Sequence, residues 1–229
     1  HFWEENGTAY MVMPLYADEP LSSHARTLPP EQLRALTDTL MAGLMPALAY
    51  LHERQIYHRD ISPDNVFMLA NGQPLLLDFG AARRIVDKSE SVTVILKTGY
   101  APIEQYDEAG RQGAWTDIYA FSALLYKLVT GQAPPASAVR VCHDTVEPLA
   151  RTQAGRFSPA VLRAIDAGLA VRPEDRPVSI AAWQRLLEQE GDTPPPEAPE
   201  KVVMFRSPGS GSGKRRTGLL TLLLLTVVA

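Results

Sequence analysis

The chain has 229 residues, of which 45% are hydrophobic and 21% charged, so it can bury one core and still carry appended segments. Its net charge of -4 at pH 7 offers no basic surface to neutralise phosphates, which excludes nucleic acid as an expected partner. The single cysteine, Cys142, excludes an intrachain disulfide and is predicted to be a small buried residue.

The first predicted elements are a strand and a long helix. Residues 9–13 form a short run that is typical of a strand. From residue 33 to residue 51 leucines recur at helical spacing, which predicts a core helix that ends at His52. Pro46 lies inside this helix and predicts a kink, because proline removes one backbone hydrogen bond.

A β-hairpin is predicted next. Two short apolar runs, residues 66–69 and residues 75–77, flank the turn-forming pair Asn71-Gly72. An Asn-Gly pair between apolar runs is a strong short-range signal for a hairpin. The two runs are therefore predicted to pair as antiparallel strands.

Three more helices are predicted in the C-terminal half. The apolar pattern that starts at Thr116 and Asp117 stops at Gly131, with good capping residues at both ends. Two shorter helical patterns cover residues 158–169 and residues 179–190. The domain is therefore predicted to be mainly α, with a few short strands (α+β).

The composition changes after residue 190. Residues 191–216 are rich in Pro and then in Gly and Ser, end in a basic cluster, and are predicted to be a linker. Residues 217–229 are almost wholly apolar and are predicted to begin a truncated transmembrane helix. Because basic clusters stay on the cytoplasmic side, we expect a single-pass protein of the inner or plasma membrane with residues 1–190 as a cytoplasmic domain.

The candidate chemistry is concentrated around the predicted hairpin. Residues 58–65 have the sequence HRDISPDN, and the hairpin leads directly into Asp78-Phe79-Gly80. Because the hairpin folds back on itself, Asn65 at its start and Asp78 at its end should lie close together, with Asp60 facing the same space. Such oxygens suit Mg²⁺ bound to nucleotide phosphates, and the arrangement is typical of phosphoryl transfer.

These two motifs resemble the catalytic loop and the magnesium loop of the protein kinase family. The family signatures are H-R-D-L-x-x-x-N and D-F-G, and the chain matches four fixed positions of the first and all of the second. The resemblance implies the hinge and C-terminal lobe of a bacterial, eukaryotic-like (Hanks-type) Ser/Thr kinase. It implies ATP and Mg²⁺ as cofactors, Asp60 as the catalytic base, and Asn65 and Asp78 as metal ligands.

By the same resemblance, two later positions hold the substrate-binding segment. Residues 100–105 have the sequence YAPIEQ and are similar to the family's segment ending in A-P-E, with Glu104 in the Glu position. Arg176 resembles the Arg that pairs with this Glu, which predicts a buried Glu104–Arg176 ion pair. Asp117 resembles the Asp that anchors the catalytic loop, and a plain helix N-cap explains its position equally well.

The nucleotide side of the site resembles the family's hinge. Pro14, Leu15 and Tyr16 fall where the backbone of the family pairs with adenine. Pro14 lacks an N–H but keeps its carbonyl acceptor, and Tyr16 can still donate its own N–H. Phe67 falls where the family places an apolar residue beneath the base, and ordinary core packing accounts for it equally well.

One departure from the family concerns a lysine. Most Ser/Thr kinases of the family have a Lys two residues after the catalytic Asp and a Thr seven residues before the Glu of A-P-E. Here these positions hold Ser62 and Lys97. Our hypothesis is that the two side chains have exchanged sides, so that Lys97 neutralises the γ-phosphate as a catalytic group. A solvent-exposed loop lysine is the alternative.

Regulation and partners are further expectations from the resemblance. Arg59 is expected to receive a phosphate on the activation segment, with Ser89, Ser91 and Thr93 as candidate acceptors. Protein substrates are expected, and dimerisation for autophosphorylation in trans is compatible with this. The family's Gly-rich loop and strand Lys do not occur in the sequence, so most of the N-lobe is expected to be absent and the chain alone inactive.

Two other classes of function remain open. A pseudokinase or signalling scaffold is favoured by the altered A-P-E segment and by the missing Lys at position 62, whereas the retained Asp60, Asn65 and Asp78 argue against it. A small-molecule phosphotransferase with a kinase-like fold is the third alternative. The long segment between residues 80 and 104 argues for a protein substrate instead.

Overall fold

The computed structural model describes residues 2–6, 8–11, 14–15, 19–79, 83–84, 96–107 and 110–188. The chain divides into two compact units, His1–Gly191 and Asp192–Ala229, and all described residues belong to the first. The predicted linker and membrane anchor therefore lie outside the described residues. Within the described ranges, no helix combines the length and apolar character needed to cross a membrane.

The elements are short strands followed by a mainly helical body. In chain order they are β1 (Phe2–Glu5), β2 (Thr8–Met11), α1 (Leu21–His24), α2 (Pro30–Glu53), β3 (Ile56–Tyr57), β4 (Val66–Met68), β5 (Pro74–Leu76), β6 (Arg83–Arg84), a 3₁₀ turn (Ile103–Gln105), α3 (Ala114–Thr130), α4 (Ser137–Cys142), α5 (Leu149–Thr152), α6 (Pro159–Gly168), a second 3₁₀ turn (Pro173–Asp175) and α7 (Ile180–Glu188). This confirms the predicted α+β class with helices dominant in the C-terminal half.

Three two-stranded antiparallel sheets are described. β1 pairs with β2, and β1 was not predicted from the sequence. β4 pairs with β5 around the predicted turn, where Gly72 has a φ of +79°. β3 pairs with β6, so the strand before residues 58–65 is joined to a strand that follows residues 78–80. The two pairs involving β3 and β4 therefore flank residues 58–65 and Asp78.

The core is built around α3. The apolar side chains of α3 are buried around its whole circumference, as expected for a helix that is hydrophobic on every face. They pack against α2, α6 and α7. Trp183 of α7 is fully buried, lies edge-on to Phe121 with ring centroids 5.7 Å apart, and donates from Nε1 to the carbonyl of Ala164 at 2.7 Å. Burying a side chain of this size stabilises the fold by roughly 3 kcal/mol. Cys142 at the end of α4 is exposed, so the prediction that it is buried was wrong.

The two ends of α3 show where capping was predicted well and where it was not. Gly131 ends the helix in the left-handed region, with a φ of +85°, and donates its N–H to the carbonyl of Lys127 at 2.7 Å, which confirms the predicted C-cap. The helix begins one turn earlier than predicted, after Gly113. The reason is that Thr116 accepts the N–H of Gly113 at 3.1 Å from inside the first turn instead of preceding the helix.

Candidate active site

Asp60 and Asn65 form the centre of the site, in the loop between β3 and β4. Asn65 donates from Nδ2 to Oδ2 of Asp60 at 2.8 Å and to its carbonyl at 2.7 Å. The Asn65 side chain is buried, while 24% of the Asp60 side chain is exposed. The Asp60 carboxylate is therefore partly exposed to solvent, and its hydrogen bond with Asn65 fixes its orientation.

A lysine completes this cluster from a distant part of the chain. Nζ of Lys97 lies 3.1 Å from Oδ2 of Asp60 and 3.0 Å from Oγ of Ser62. Ser62 is fully buried, and 31% of the Lys97 side chain is exposed. The structure thus brings together the two positions of the predicted exchange. The contacts favour the exchange over the alternative of a solvent-exposed loop lysine, and the catalytic role of Lys97 stays a prediction.

His58 supports the same loop as a neutral imidazole. It is fully buried, its Nε2 lies 3.1 Å from the carbonyl of Leu77, and its Nδ1 accepts the N–H of Asp60 at 3.4 Å. Burial lowers the pKa of His58 from its ordinary value of 6.5, and this outweighs the opposing effect of Asp117. The hydrogen bonds fit one tautomer only, in which Nε2 carries the proton.

Asp117, in α3, anchors the loop between β3 and β4. This fully buried carboxylate accepts the N–H of His58 at 2.9 Å, the N–H of Arg59 at 2.8 Å, and Nε2 of His52 at 2.8 Å. It lies inside the first turn of α3, so the alternative that Asp117 is a plain N-cap was wrong. The Asp117 carboxylate therefore binds groups of α2 and of the loop after β3, and does not cap its own helix.

Glu104 and Arg176 form a two-pronged buried ion pair. Nη1 of Arg176 lies 2.8 Å from Oε1 of Glu104, and Nη2 lies 3.2 Å from Oε2. Arg176 also donates to the carbonyls of Ala170 and Val171, each at 2.7 Å, and Thr116 donates to Oε1 of Glu104 at 3.0 Å. These bonds satisfy the polar atoms that burial removes from water. The pair attaches residues 96–107 to the helical body.

A profile of the protein kinase domain matches residues 1–187 of this chain. The chain belongs to the protein kinase domain family. It is 33% identical over 159 residues to serine/threonine-protein kinase C of Synechocystis, and 32% identical over 177 residues to PknB of Mycobacterium tuberculosis. These alignments cover 66% and 72% of this chain, and 29% and 28% of the two kinases. Among solved structures, the apo form of PpkA-294 is similar, with a TM-score of 0.69 and 42% identity over 82% of this chain and 66% of that one.

The curated kinases are much longer than this kinase domain. The chain spans 28 to 36% of the length of the first three relatives that it matches. One of these three relatives, PknA of Nostoc, is 28% identical to this chain over 206 residues, which cover 86% of this chain. The comparisons therefore show the family and the fold, a protein-kinase lobe that is mainly helical.

The donor chemistry of this kinase domain fits a bound Mg²⁺. Asn65 uses its Nδ2 for Asp60, which leaves Oδ1, an oxygen of the type that Mg²⁺ prefers, for a cation. Leu77 donates its N–H to the carbonyl of Asn65 at 2.8 Å. This bond brings the two ends of the hairpin together, so Asp78, which follows Leu77, lies near Asn65. Asp78 is exposed and has a φ of +63°. Two protein oxygens, together with phosphate oxygens and retained waters, would match the usual coordination of Mg²⁺.

The predicted nucleotide-binding residues are only partly described. Pro14 is exposed, Leu15 has 95% of its surface exposed, and Tyr16 lies outside the described residues. Phe67 is half-buried in β4, where it pairs with Leu75 and forms a bridge to Pro20. These contacts show Phe67 in the sheet and leave its role beneath a base as a prediction. The candidate phosphate acceptors Ser89, Ser91 and Thr93 also lie outside the described residues.

Sequence reasoning missed two residues that line the cleft beside Asp60. Gln105 donates from Nε2 to the carbonyl of Arg59 at 2.8 Å. Tyr100 has a buried hydroxyl with no hydrogen-bond partner among the described residues, and burial, followed by the charge of Asp64, raises its pKa to about 12. Both lie in residues 100–105, the segment compared with A-P-E, but the sequence predicted no role for either, and only the three-dimensional contacts reveal them.

Proposed function

We propose that the protein containing this chain transfers the γ-phosphoryl group of ATP to Ser or Thr hydroxyls of proteins, including its own activation segment. Family membership supports protein phosphorylation as the class of reaction. The observation that carries the proposal is the contact of Asp60 with both Asn65 and Lys97, because it fixes a partly exposed carboxylate beside a cation. A scaffold would not need this arrangement.

Each described residue of the cluster has one task in this reaction. Asp60 orients the substrate hydroxyl and accepts its proton as the oxygen attacks the γ-phosphorus and the bond to ADP breaks. Asn65 holds the Asp60 carboxylate and, with Asp78, would hold Mg²⁺, which neutralises charge on the phosphates when bound. Pro14, Leu15, Tyr16 and Phe67 are proposed to hold the adenine.

Lys97 is proposed to act in place of the family's catalytic-loop lysine. Its ammonium contacts Asp60 and Ser62 from the opposite side of the cleft. A donor with three N–H groups can keep one contact with Asp60 while another meets a phosphate oxygen. Ser62, in the loop that carries Asp60, then supplies the hydroxyl that a Thr on the activation segment supplies in most family members.

The proposed attachment to a membrane rests on the sequence of residues 214–229. A basic cluster is followed by an apolar run, which supports a single-pass anchor in the inner or plasma membrane with the kinase domain in the cytoplasm. Carbonate extraction of the full-length protein should leave it in the membrane fraction. Release into the soluble fraction would contradict the anchor without affecting the proposed chemistry.

The test of the function uses the full-length protein with Mg·ATP carrying labelled γ-phosphate. We expect label in the protein itself and in a generic protein substrate, on Ser or Thr by phosphoamino-acid analysis, and none with Asp60→Asn. Label on small molecules alone would favour the small-molecule phosphotransferase. No label in either form of the protein would favour the scaffold.

A further inference from the structure

The residue before the proposed base has an unusual backbone conformation. Arg59 has a φ of +67°, in the left-handed region that residues other than glycine rarely adopt. Such a conformation costs roughly 1–2 kcal/mol and persists only where surrounding contacts hold it. The contacts that hold Arg59 therefore also set the direction in which Asp60 leaves the backbone.

Both backbone groups of Arg59 are held by side chains from other segments. Its N–H donates to Oδ1 of Asp117 at 2.8 Å, and its carbonyl accepts Nε2 of Gln105 at 2.8 Å. Asp117 comes from α3, and Gln105 comes from the 3₁₀ turn that also contains Glu104. The carbonyl of Arg59 shares a peptide plane with the N–H of Asp60, which donates to Nδ1 of His58 at 3.4 Å.

We propose that Gln105 is a positioning residue, which holds the Arg59–Asp60 peptide plane and thereby sets the orientation of the Asp60 carboxylate. This inference rests on the proposed function, since it names a support for the proposed base. Asp117 restrains only the N–H side of Arg59, and the contact of the Asp60 N–H with His58 is long at 3.4 Å, so a further restraint is needed on the carbonyl side. Gln105 provides it through a neutral donor that leaves no net charge beside Asp60.

The contact also links the substrate-binding segment to the base. Glu104 is bound to Arg176, and the next residue, Gln105, is bound to the catalytic loop. Lys97 accepts the N–H groups of Tyr100 and Ala101 at its carbonyl, both at 3.0 Å, so residues 97–101 form a turn of the same segment. Movement of this segment away from the body would release the Arg59 carbonyl and withdraw the Lys97 ammonium together.

The first test compares three variants of the full-length protein. Gln105→Met keeps the length of the side chain and removes the donor, and we expect kcat to fall about 10- to 100-fold with KM for ATP and for peptide unchanged. Gln132→Met, at an exposed glutamine after α3, is the matched control and should keep wild-type kcat. An unchanged kcat in Gln105→Met, or a loss confined to KM, would overturn the proposal.

The third variant, Gln105→Glu, separates positioning from packing. The ionised carboxylate repels the Arg59 carbonyl, so kcat at pH 8 should be lower than in Gln105→Met. Protonation restores a donor, so the ratio of variant to wild-type kcat should rise as the pH falls toward 5.5. Asp60, Lys97, Arg59 and Tyr100 line the same cleft, so Gln105→Met, which adds no titratable group, is measured over the same pH range for comparison. A ratio that does not change with pH would overturn the positioning role.

Hydrogen exchange provides a readout that does not depend on activity. Amide exchange in residues 58–61 should be faster in Gln105→Met than in wild type, whereas Gln132→Met should show no change. Equal rates would overturn the inference even if the wild type is an active kinase. If the wild type transfers no phosphate, the proposed function fails, and faster exchange still supports the restraint by Gln105.

Discussion

Nζ of Lys97 lies 3.1 Å from Oδ2 of Asp60, although the two residues are far apart in the chain. The cation beside the proposed base therefore belongs to residues 96–107 and not to the loop between β3 and β4 that carries Asp60. Ser62, at the position where most family members carry the lysine, contacts the same ammonium at 3.0 Å. An ammonium group is therefore present beside Asp60, and it comes from residue 97 instead of residue 62.

The first prediction concerns the loss of this charge. Lys97→Met should lower kcat about 100-fold, the scale of removing one preorganised charge-stabilising group from an active site. Lys127→Met is the matched control, because Lys127 is a half-buried lysine in the last turn of α3 that does not contact Asp60. Single-turnover phosphotransfer in the full-length protein measures the effect. Equal rates for the two variants would show that Lys97 has no catalytic role.

The exchange itself is tested by a double-mutant cycle. Ser62→Lys and Lys97→Thr together restore the usual family arrangement and should recover most of the rate that Lys97→Thr loses alone. The two sites share one ammonium contact, so the coupling free energy should exceed the roughly 0.5 kcal/mol scatter of independent sites. Additive effects on the phosphotransfer rate would reject the exchange.

The buried ion pair between Glu104 and Arg176 is expected to matter for stability. Arg176→Met should lower the free energy of unfolding by about 3–5 kcal/mol, because it leaves a buried carboxylate without its partner. Arg172→Met is a suitable control, since its pair with Glu174 is exposed and spans 3.8 Å. Urea denaturation measures both. Similar losses in the two variants would contradict the assignment of Glu104–Arg176 as a buried structural pair.

Asp117 should affect both stability and activity. The Asp117 carboxylate accepts the N–H groups of His58 and Arg59, and Asp117→Asn replaces one of its two acceptor oxygens by an NH₂ group. The substitution should lower the free energy of unfolding by about 1–3 kcal/mol and disturb the orientation of Asp60. Asp166→Asn is chemically matched, because Asp166 accepts the N–H groups of Leu149 and Ala150 away from the site. Both variants should lose stability, and only Asp117→Asn should lose kcat. An active Asp117→Asn protein would remove the anchoring role.

His58 predicts a dependence of stability on pH. Its pKa in the folded protein is lowered by burial, so the unfolded chain binds more protons between that value and 6.5. The contribution of His58 is therefore complete above pH 6.5 and is lost as the pH falls through the folded-state pKa. An NMR titration of the His58 ring should show the neutral form persisting below pH 6.5. A transition at or above pH 6.5 would contradict the neutral tautomer.

The sequence was sufficient to predict the fold class and the motif residues because both depend on local patterns. The leucine spacing of α2 and the turn at Gly72 are signals of this kind, and the structure confirms the helix and the hairpin. The predicted Glu104–Arg176 pair came from the family resemblance and is also present. Whether the site residues perform their assigned tasks stays a prediction.

What the sequence did not indicate depends on contacts between distant segments. The start of α3 was misplaced because Thr116 has the composition of an N-cap, whereas its hydroxyl bonds back to Gly113 from within the helix. Gln105 was missed because its partner is a backbone carbonyl, which leaves no pattern in the chain. The strand β1 was missed because a short edge segment has little periodicity to detect.

The most direct measurement of the proposed function is the initial rate of γ-phosphate transfer from Mg·ATP to a protein substrate by the full-length protein. Wild type is compared with Asp60→Asn and with Asp64→Asn, an exposed aspartate four residues later in the same loop. We expect transfer to Ser or Thr by wild type and by Asp64→Asn, and loss of transfer in Asp60→Asn. Undiminished transfer by Asp60→Asn, or no transfer by wild type, would contradict it.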